Sequence, residues 1–178
     1  MIFEEKKISS EKIYEGAILN LRRDTVTAVK GEAYREIIEH NGAVAMVPIT
    51  EDGEIIMVEQ FRYACNRTVL EIPAGKIDKG ETDTAQVAAR ELKEETGYTA
   101  ENIIFLGKIN TSVAYSEEMI SIYGMTGLTE GEQQLDDDEA INVVKMPFDK
   151  AYRMAAGGEL IDVKTVAALL MAKEQLGL

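Results

Sequence analysis

The sequence is short of several things, and each shortage closes off a class of function. Of its 178 residues one is cysteine, Cys65, so no internal disulfide can form, and no Cys or His neighbour stands at metal-ligand spacing. Cys65 reads as a small buried or half-buried side chain, not a nucleophile. Tryptophan is absent, and His40, the single histidine, ends a strand before Asn41-Gly42 and reads as a turn or packing residue. No apolar run approaches the roughly 20 residues that span a bilayer. The start Met1-Ile2-Phe3-Glu4-Glu5-Lys6-Lys7 lacks the basic-then-apolar layout of a signal peptide. The expected location is cytoplasmic, with no membrane partner. Basic residues are scarce as well: 19 Lys and Arg against 32 Asp and Glu leave a formal net charge of −13. Phosphate backbones are gripped by clustered cations, so nucleic acid is not an expected partner. If the substrate is anionic, a cation must mediate.

What is present is a globular composition, 46% hydrophobic, on a chain long enough for one domain or one domain with a small appendage. Residues 1–41 carry β-branched alternation broken by turn signals, as in Thr25-Val26-Thr27-Ala28-Val29, Lys30-Gly31-Glu32 and Tyr34-Arg35-Glu36-Ile37-Ile38-Glu39, which predicts a hairpin. Such a piece is too small to stand alone and is expected to pack on residues 42–178 or on a second copy of the chain. Ala43–Ile49 is a continuous apolar run, the pattern of a strand buried on both faces. Asp52-Gly53 turns the chain into a second strand over Glu54–Glu59, and a third, Val69–Ile72, is closed by Pro73. Further strands are expected near Ile103–Ile109, Met119–Thr126 and Ile141–Met146. Two helices follow, Phe148–Ala156 behind Pro147 and Val163–Leu176, the latter with Val163, Val166, Ala167 and Leu170 as its core stripe. Gly127–Glu139 reads as a polar, acidic loop.

The densest charge lies in Arg90-Glu91-Leu92-Lys93-Glu94-Glu95-Thr96-Gly97-Tyr98. Asp83 with Gln86 fits a capping box, so a helix is predicted to start near Thr84 and to stop at Gly97. At about 100° per residue Ala85, Ala88, Ala89, Leu92 and Thr96 form a core stripe, with Glu91 and Glu95 beside it one turn apart. Arg90 and Glu94 pair on the far side. An Arg–Glu pair at i,i+4 neutralises itself, whereas Glu91 and Glu95 repel. Two carboxylates so placed fit a hard divalent cation, which takes oxygen ligands, or a merely solvated acidic face.

With its flanks this stretch resembles the signature of the Nudix hydrolases: Gly75, five residues, Glu81, a spacer, then Arg90 to Tyr98. It departs in one respect, since eight residues separate Glu81 from Arg90 where the family usually has seven; the extra residue is assigned to the turn before the helix. Outside the signature, Glu59-Gln60-Phe61-Arg62-Tyr63, Leu70-Glu71-Ile72-Pro73-Ala74-Gly75 and Arg35–His40 are similar to the ADP-ribose pyrophosphatase branch. In Ser112-Val113-Ala114-Tyr115-Ser116-Glu117-Glu118, Val113 stands where that branch has proline.

The resemblance implies an α/β (α+β) fold, a Nudix-type mixed sheet between helices with an N-terminal antiparallel β subdomain over 1–41 and a catalytic domain over 42–178. It implies a homodimer built through the first piece. It implies Mg²⁺, or Mn²⁺, on Glu91 and Glu95 with Glu94 assisting and the Ala74 carbonyl as a further ligand; Arg90, Gly75 and Gly97 are supports. Glu139 is the implied base, with Asp137 or Glu118 as substitutes. Arg62 is read either as a phosphate contact or as the ion-pair partner of Glu71 or Glu118, and Arg35 as a contact made across the dimer. Glu118 is a further substrate contact, and an adenine could stack on Tyr14, Phe61, Tyr63 or Tyr115. The implied reaction is hydrolysis of ADP-ribose or a related nucleoside diphosphate sugar. GDP-mannose hydrolysis and a non-catalytic nucleotide-sugar sensor are the alternatives.

Overall fold

The computed structural model describes residues 2–137 and 139–178, so Met1 and Asp138 of the acidic quartet lie outside the described residues. The chain forms two compact units, Met1–Gly42 with Asn110–Met119, and Ala43–Ile109 with Ile120–Leu178.

The N-terminal unit is an antiparallel sheet in the order β1 (Lys7–Glu15), β2 (Asn20–Thr27), β3 (Glu32–Glu39). The expected hairpin is β2 and β3, and β1 adds an edge strand. Residues 110–119 join this unit because Ile38 N donates to Tyr115 O at 2.8 Å and Glu117 N to Ile38 O at 3.0 Å. Arg22 fastens the same segment, its guanidinium reaching Asp24 at 3.1 Å, Glu39 at 2.8 Å and Glu117 at 2.5 Å.

In the larger unit the organising element is β4 (Ala43–Pro48), buried at every position. Alternate side chains of a strand point to opposite faces, so the run supplies two cores. Ala43, Ala45 and Val47 pack with Ile55, Met57, Ala168 and Leu169, while Val44 and Met46 pack with Val87, Ala88 and Leu92. The expected mixed sheet is present as β7 (Ala74–Lys76), β4, β9 (Met119–Thr129) and β8 (Thr99–Asn110), with β4 parallel to β9 and antiparallel to β7. Beside it stands a separate antiparallel sheet of β10 (Ile141–Pro147), β5 (Glu54–Arg62) and β6 (Arg67–Glu71). Ile72-Pro73 is the step from one sheet to the other: β6 ends at Glu71 and β7 begins at Ala74.

Among the described residues three α-helices complete this unit: α1 (Thr84–Thr96), α2 (Phe148–Ala156) and α3 (Val163–Leu176). In α3 the core stripe differs from the expected one. Val163 and Leu170 are exposed, and Thr165, Ala168, Leu169 and Ala172 face inward. Leu169, Leu170 and Met171 follow one another, so the apolar residues surround the helix and their period does not select a face. Packing selects it instead, with the small Ala168 and Ala172 toward the core. Among the described residues no helix is long and apolar enough to cross a membrane.

Candidate active site

Helix α1 is placed by its ends. Asp83 accepts hydrogen bonds from Ala85 N at 3.1 Å and Gln86 N at 3.2 Å, satisfying two of the donors that a helix start leaves free. At the other end Gly97 adopts φ 79°, and its N–H donates to Lys93 O at 2.9 Å. Any Cβ at Gly97 would stand 2.5 Å from Gly131 O, so the backbone that follows β9, which runs to Thr129 and takes the first three residues of the expected 127–139 loop, presses on the helix end. There Gln134 N donates to Glu94 O at 2.9 Å and Gln133 Nε2 to Glu95 O at 2.6 Å. The loop thus takes up carbonyls that the helix end would leave unpaired.

The buried face of α1 is Val87, Ala88, Leu92, Glu95 and Thr96, turned slightly from the wheel's stripe, so Glu95 is in the core and not beside it. It is 5% exposed, and its Oε2 accepts the Ala74 N–H at 3.0 Å. Burial pushes its carboxyl up to about 8; the Ala74 N–H opposes this, and the charges of Glu91 and Glu139 add to it. Glu91 is raised too, chiefly by burial, with Arg90 pulling it down and Glu94 and Glu139 pushing it up. A Cβ on Gly75 would stand 1.9 Å from the Glu91 carboxyl carbon, so only glycine lets Glu91 lie against this turn.

Ala74, Gly75, Glu91 and Glu95 therefore meet at one turn, with Gly97 ending the same helix, while Glu139 is exposed, accepts Asp136 N at 3.3 Å and acts on Glu91 and Glu95 through its charge alone. Arg90 does not keep to one pair. It binds Glu94 at 2.7 Å, Glu91 at 3.0 Å and Glu81 at 3.5 Å, bridging the two pairs that the helical wheel separates. Glu81 also accepts Asp78 N at 2.8 Å and so belongs to the turn before α1.

Of the readings open for Arg62, the ion pair with Glu71 is the one formed: Nε and Nη2 reach the two carboxylate oxygens at 2.7 Å each. Arg35 and Glu118 lie in the N-terminal unit. Arg35 binds Glu5 and the Tyr34 carbonyl, and Glu118 accepts the Thr111 hydroxyl at 2.8 Å. Glu118 also lines a cavity of about 360 Å³ within that unit, together with Ile18, Leu19, Ile38, His40 and Tyr115. Tyr115 alone of the aromatic candidates is in that lining; Tyr14, Phe61 and Tyr63 are exposed.

Sequence reasoning missed Asp162, Lys164 and Thr165 at the start of α3, which hold the chain just before Ala74. Lys164 binds Glu71 and reaches Asp162 at 2.9 Å. A lysine in the first turn opposes the helix dipole, which is a legible sign that an anion faces it.

All the donors at Ala74, Glu91, Glu95 and Glu139 are oxygen atoms, and negative charge exceeds positive. That set fits a hard divalent cation such as Mg²⁺ better than any soft metal. Among the described residues no three His, Cys, Asp or Glu side chains converge on one point. Glu91 leans on Arg90 and Glu95 on the Ala74 N–H.

Comparison with known proteins gives four matches. The profile of the NUDIX domain family matches residues 39–169. A protein named methanol dehydrogenase activator from Bacillus methanolicus is 40% identical over 94% of this chain and 92% of its own length. An ADP-ribose pyrophosphatase from Bacillus subtilis (strain 168) is 39% identical over 97% and 96%. Among solved structures an ADP compounds hydrolase superposes with a TM-score of 0.85, covering 99% of this chain and 96% of that one at 22% identity, which speaks for the fold.

Proposed function

This chain belongs to the NUDIX domain family, and from that premise we propose that it is a Mg²⁺-dependent pyrophosphohydrolase cleaving ADP-ribose, or a related nucleoside diphosphate sugar, to a nucleoside monophosphate and a sugar phosphate. The observation that carries the reading is the buried Glu95 carboxyl, set on the Ala74 N–H beside Glu91 and within the field of Glu139.

The cation, Mg²⁺ or Mn²⁺, would be held by Glu91, Glu95 and the Ala74 carbonyl, with Glu94 assisting; bound there, it supplies Lewis-acid polarisation of the pyrophosphate and offsets its charge. The remaining work falls to the chain's own residues. The Ala74 N–H fixes one oxygen of Glu95 and leaves the other to coordinate. Glu91, bound to Arg90, would be the second carboxylate ligand, and Arg90 is neutralised by Glu94 and Glu81 as well. Gly75 keeps the space in which Glu91 moves. Glu139 takes the proton of the attacking water, carried on a loop already tied to the end of α1 through Gln134. Arg62, with a face left to solvent beyond Glu71, serves the phosphates; Glu118 serves the sugar or base. Arg35 acts from a second copy of the chain in a homodimer, and the single cysteine suits the cytoplasm.

The test is incubation with Mg²⁺ and a panel of ADP-ribose, GDP-mannose, other nucleoside diphosphate sugars, dinucleotides and nucleoside triphosphates, with products identified by mass. ADP-ribose is expected to be the preferred substrate, giving AMP. Binding of the panel without turnover would replace the enzyme with a sensor. A sedimentation measurement showing only monomer at micromolar concentration would remove the dimer and the role given to Arg35.

A further inference from the structure

The turn that carries Ala74 and Gly75 is held at four consecutive residues, and two of the holds come from the N-terminus of α3. The Glu71 side chain accepts from Arg62 on one flank and from Lys164 on the other. Ile72 N donates to the Thr165 hydroxyl at 2.9 Å. Pro73 O accepts from Met46 N at 2.9 Å, and Ala74 N donates to Glu95 at 3.0 Å. Asp162 joins the α3 side into one piece: as the cap of the helix it accepts from Thr165 N at 3.1 Å and Lys164 Nζ at 2.9 Å, and from the Thr165 hydroxyl. Lys164 and Thr165 are both buried, as is Glu71. Their partners cannot be replaced by water, so the position of the turn is set by where α3 begins.

That is more than the fold needs. Glu71 already has both oxygens on the Arg62 fork, which satisfies its charge. Placing an ammonium group in the first turn of α3, against the helix dipole, costs stability; holding Glu71 between two elements instead of one gains rigidity. The gain falls on the segment whose next residues seat Glu95 and Glu91.

We infer that Lys164, with Thr165, is a positioning residue of the cation cradle: by tying Glu71 and Ile72 to the capped start of α3 it fixes the turn against which Glu91 and Glu95 rest. This rests on the ligand reading proposed above. Groups that orient metal ligands from behind typically change affinity 10- to 100-fold when removed. Lys164→Met keeps the length of the side chain and leaves Glu71 paired with Arg62, so the fold should survive. Thr165→Val keeps the shape and removes the Ile72 acceptor, and Thr165→Ser restores the hydroxyl.

The experiment titrates Mn²⁺ into each purified full-length variant and reads free Mn²⁺ by electron paramagnetic resonance, with Glu95→Gln alongside and circular dichroism to confirm folding. Lys164→Met and Thr165→Val are expected to weaken Mn²⁺ binding about tenfold or more, and Thr165→Ser to stay near wild type. In the hydrolysis assay the Mg²⁺ half-saturation should rise by the same factor, while kcat and the substrate KM at saturating Mg²⁺ hold. A general loss of packing would instead lower kcat at every Mg²⁺ concentration. Binding lost in Glu95→Gln but within twofold of wild type in folded Lys164→Met overturns the positioning role alone. Binding unchanged in both overturns the ligand assignment and the positioning role with it. Should Lys164→Met not fold, Thr165→Val decides: affinity equal to that of Thr165→Ser overturns the inference.

Discussion

Two knots of charge, each built around a buried glutamate, flank the Glu71–Gly75 turn, and they are built on opposite arithmetic. In one, Arg62 and Lys164 face Glu71 and Asp162, two cations for two anions. In the other, Arg90 is shared among Glu81, Glu91 and Glu94, and Glu95 and Glu139 add charge beside it. Glu71 and Glu95 are the same residue type, 2% and 5% exposed, yet their carboxyls move in opposite directions. Burial pushes both up. At Glu71, Arg62 and Lys164 outweigh it and the carboxyl falls below the usual range; at Glu95 the Ala74 N–H and the charge of Lys164 do not outweigh burial, and it rises to about 8. A balanced knot holds a fold together, and the unbalanced one, kept by the same fold, is where the proposed cation would sit.

The comparison breaks most sharply at the unbalanced knot. Glu91→Gln or Glu95→Gln should lower turnover by roughly a thousandfold in Mg²⁺, because each removes a ligand whose charge the reaction uses; a wild-type rate in either variant would return these residues to the fold. Glu71→Met should do the reverse, taking from buried Lys164 one of its two anions and from Arg62 its partner, and costing about 3 kcal/mol in urea unfolding. If Glu71→Met proves neutral, the balanced knot is not structural. Glu139→Gln comes next: cation binding kept and hydrolysis slowed roughly a hundredfold, as loss of a proton acceptor does. A near-normal rate would move the base elsewhere on the 127–139 loop.

The smallest effect sharpens the comparison through pH. A carboxyl held low in the fold stabilises it above the ordinary glutamate pKa of about 4.3, and that contribution is lost as pH falls through the lowered value. Wild type should therefore lose its advantage over Glu71→Met in acid. A carboxyl held high has the opposite sign: it weighs against the fold as pH climbs from about 4.3 toward its raised value. In chelator at pH 8, Glu95→Gln should unfold no more easily than wild type; melting curves taken from about pH 3 to pH 8 check both signs, the Glu71 one below about 4.3 and the Glu95 one above it.

The parts of the fold legible in the sequence are those written locally. Asp83 and Gly97 mark the ends of α1, and the uninterrupted run from Ala43 marks the strand that feeds two cores. The bounds of α2 and α3 follow from Pro147 and from the apolar residues between Val163 and Leu176. What stayed hidden joins residues far apart. Lys164 and Glu71 are 93 positions from each other, and no period connects them. Arg62 had several acidic partners to choose from, and the strand register does not pick Glu71 either, since it sets Arg67 opposite Arg62 and Val58 opposite Glu71; the pair is made by the side chains reaching along the sheet. The entry of 110–119 into the N-terminal unit depends on hydrogen bonds of Ile38 that no composition reports. At the site, the spacing of Glu91 and Glu95 was readable, but Glu95 lying inside the core was not, because a charged residue is assigned outward unless its partner is known.

The bond from Gln134 to the end of α1 makes a ruler of the segment behind it. Glu139 rides on six residues, 135–140, strung between Gln134 on Glu94 and Ile141 opposite Gln60. One residue of chain is worth at most about 3.5 Å, so a single insertion or deletion in that stretch displaces the carboxylate by more than a hydrogen bond tolerates. Length added before Gly131 leaves it where it was. Natural and engineered variation in the loop should therefore collect on its first half, and the count between Gln134 and Ile141 should stay fixed wherever Glu139 is used.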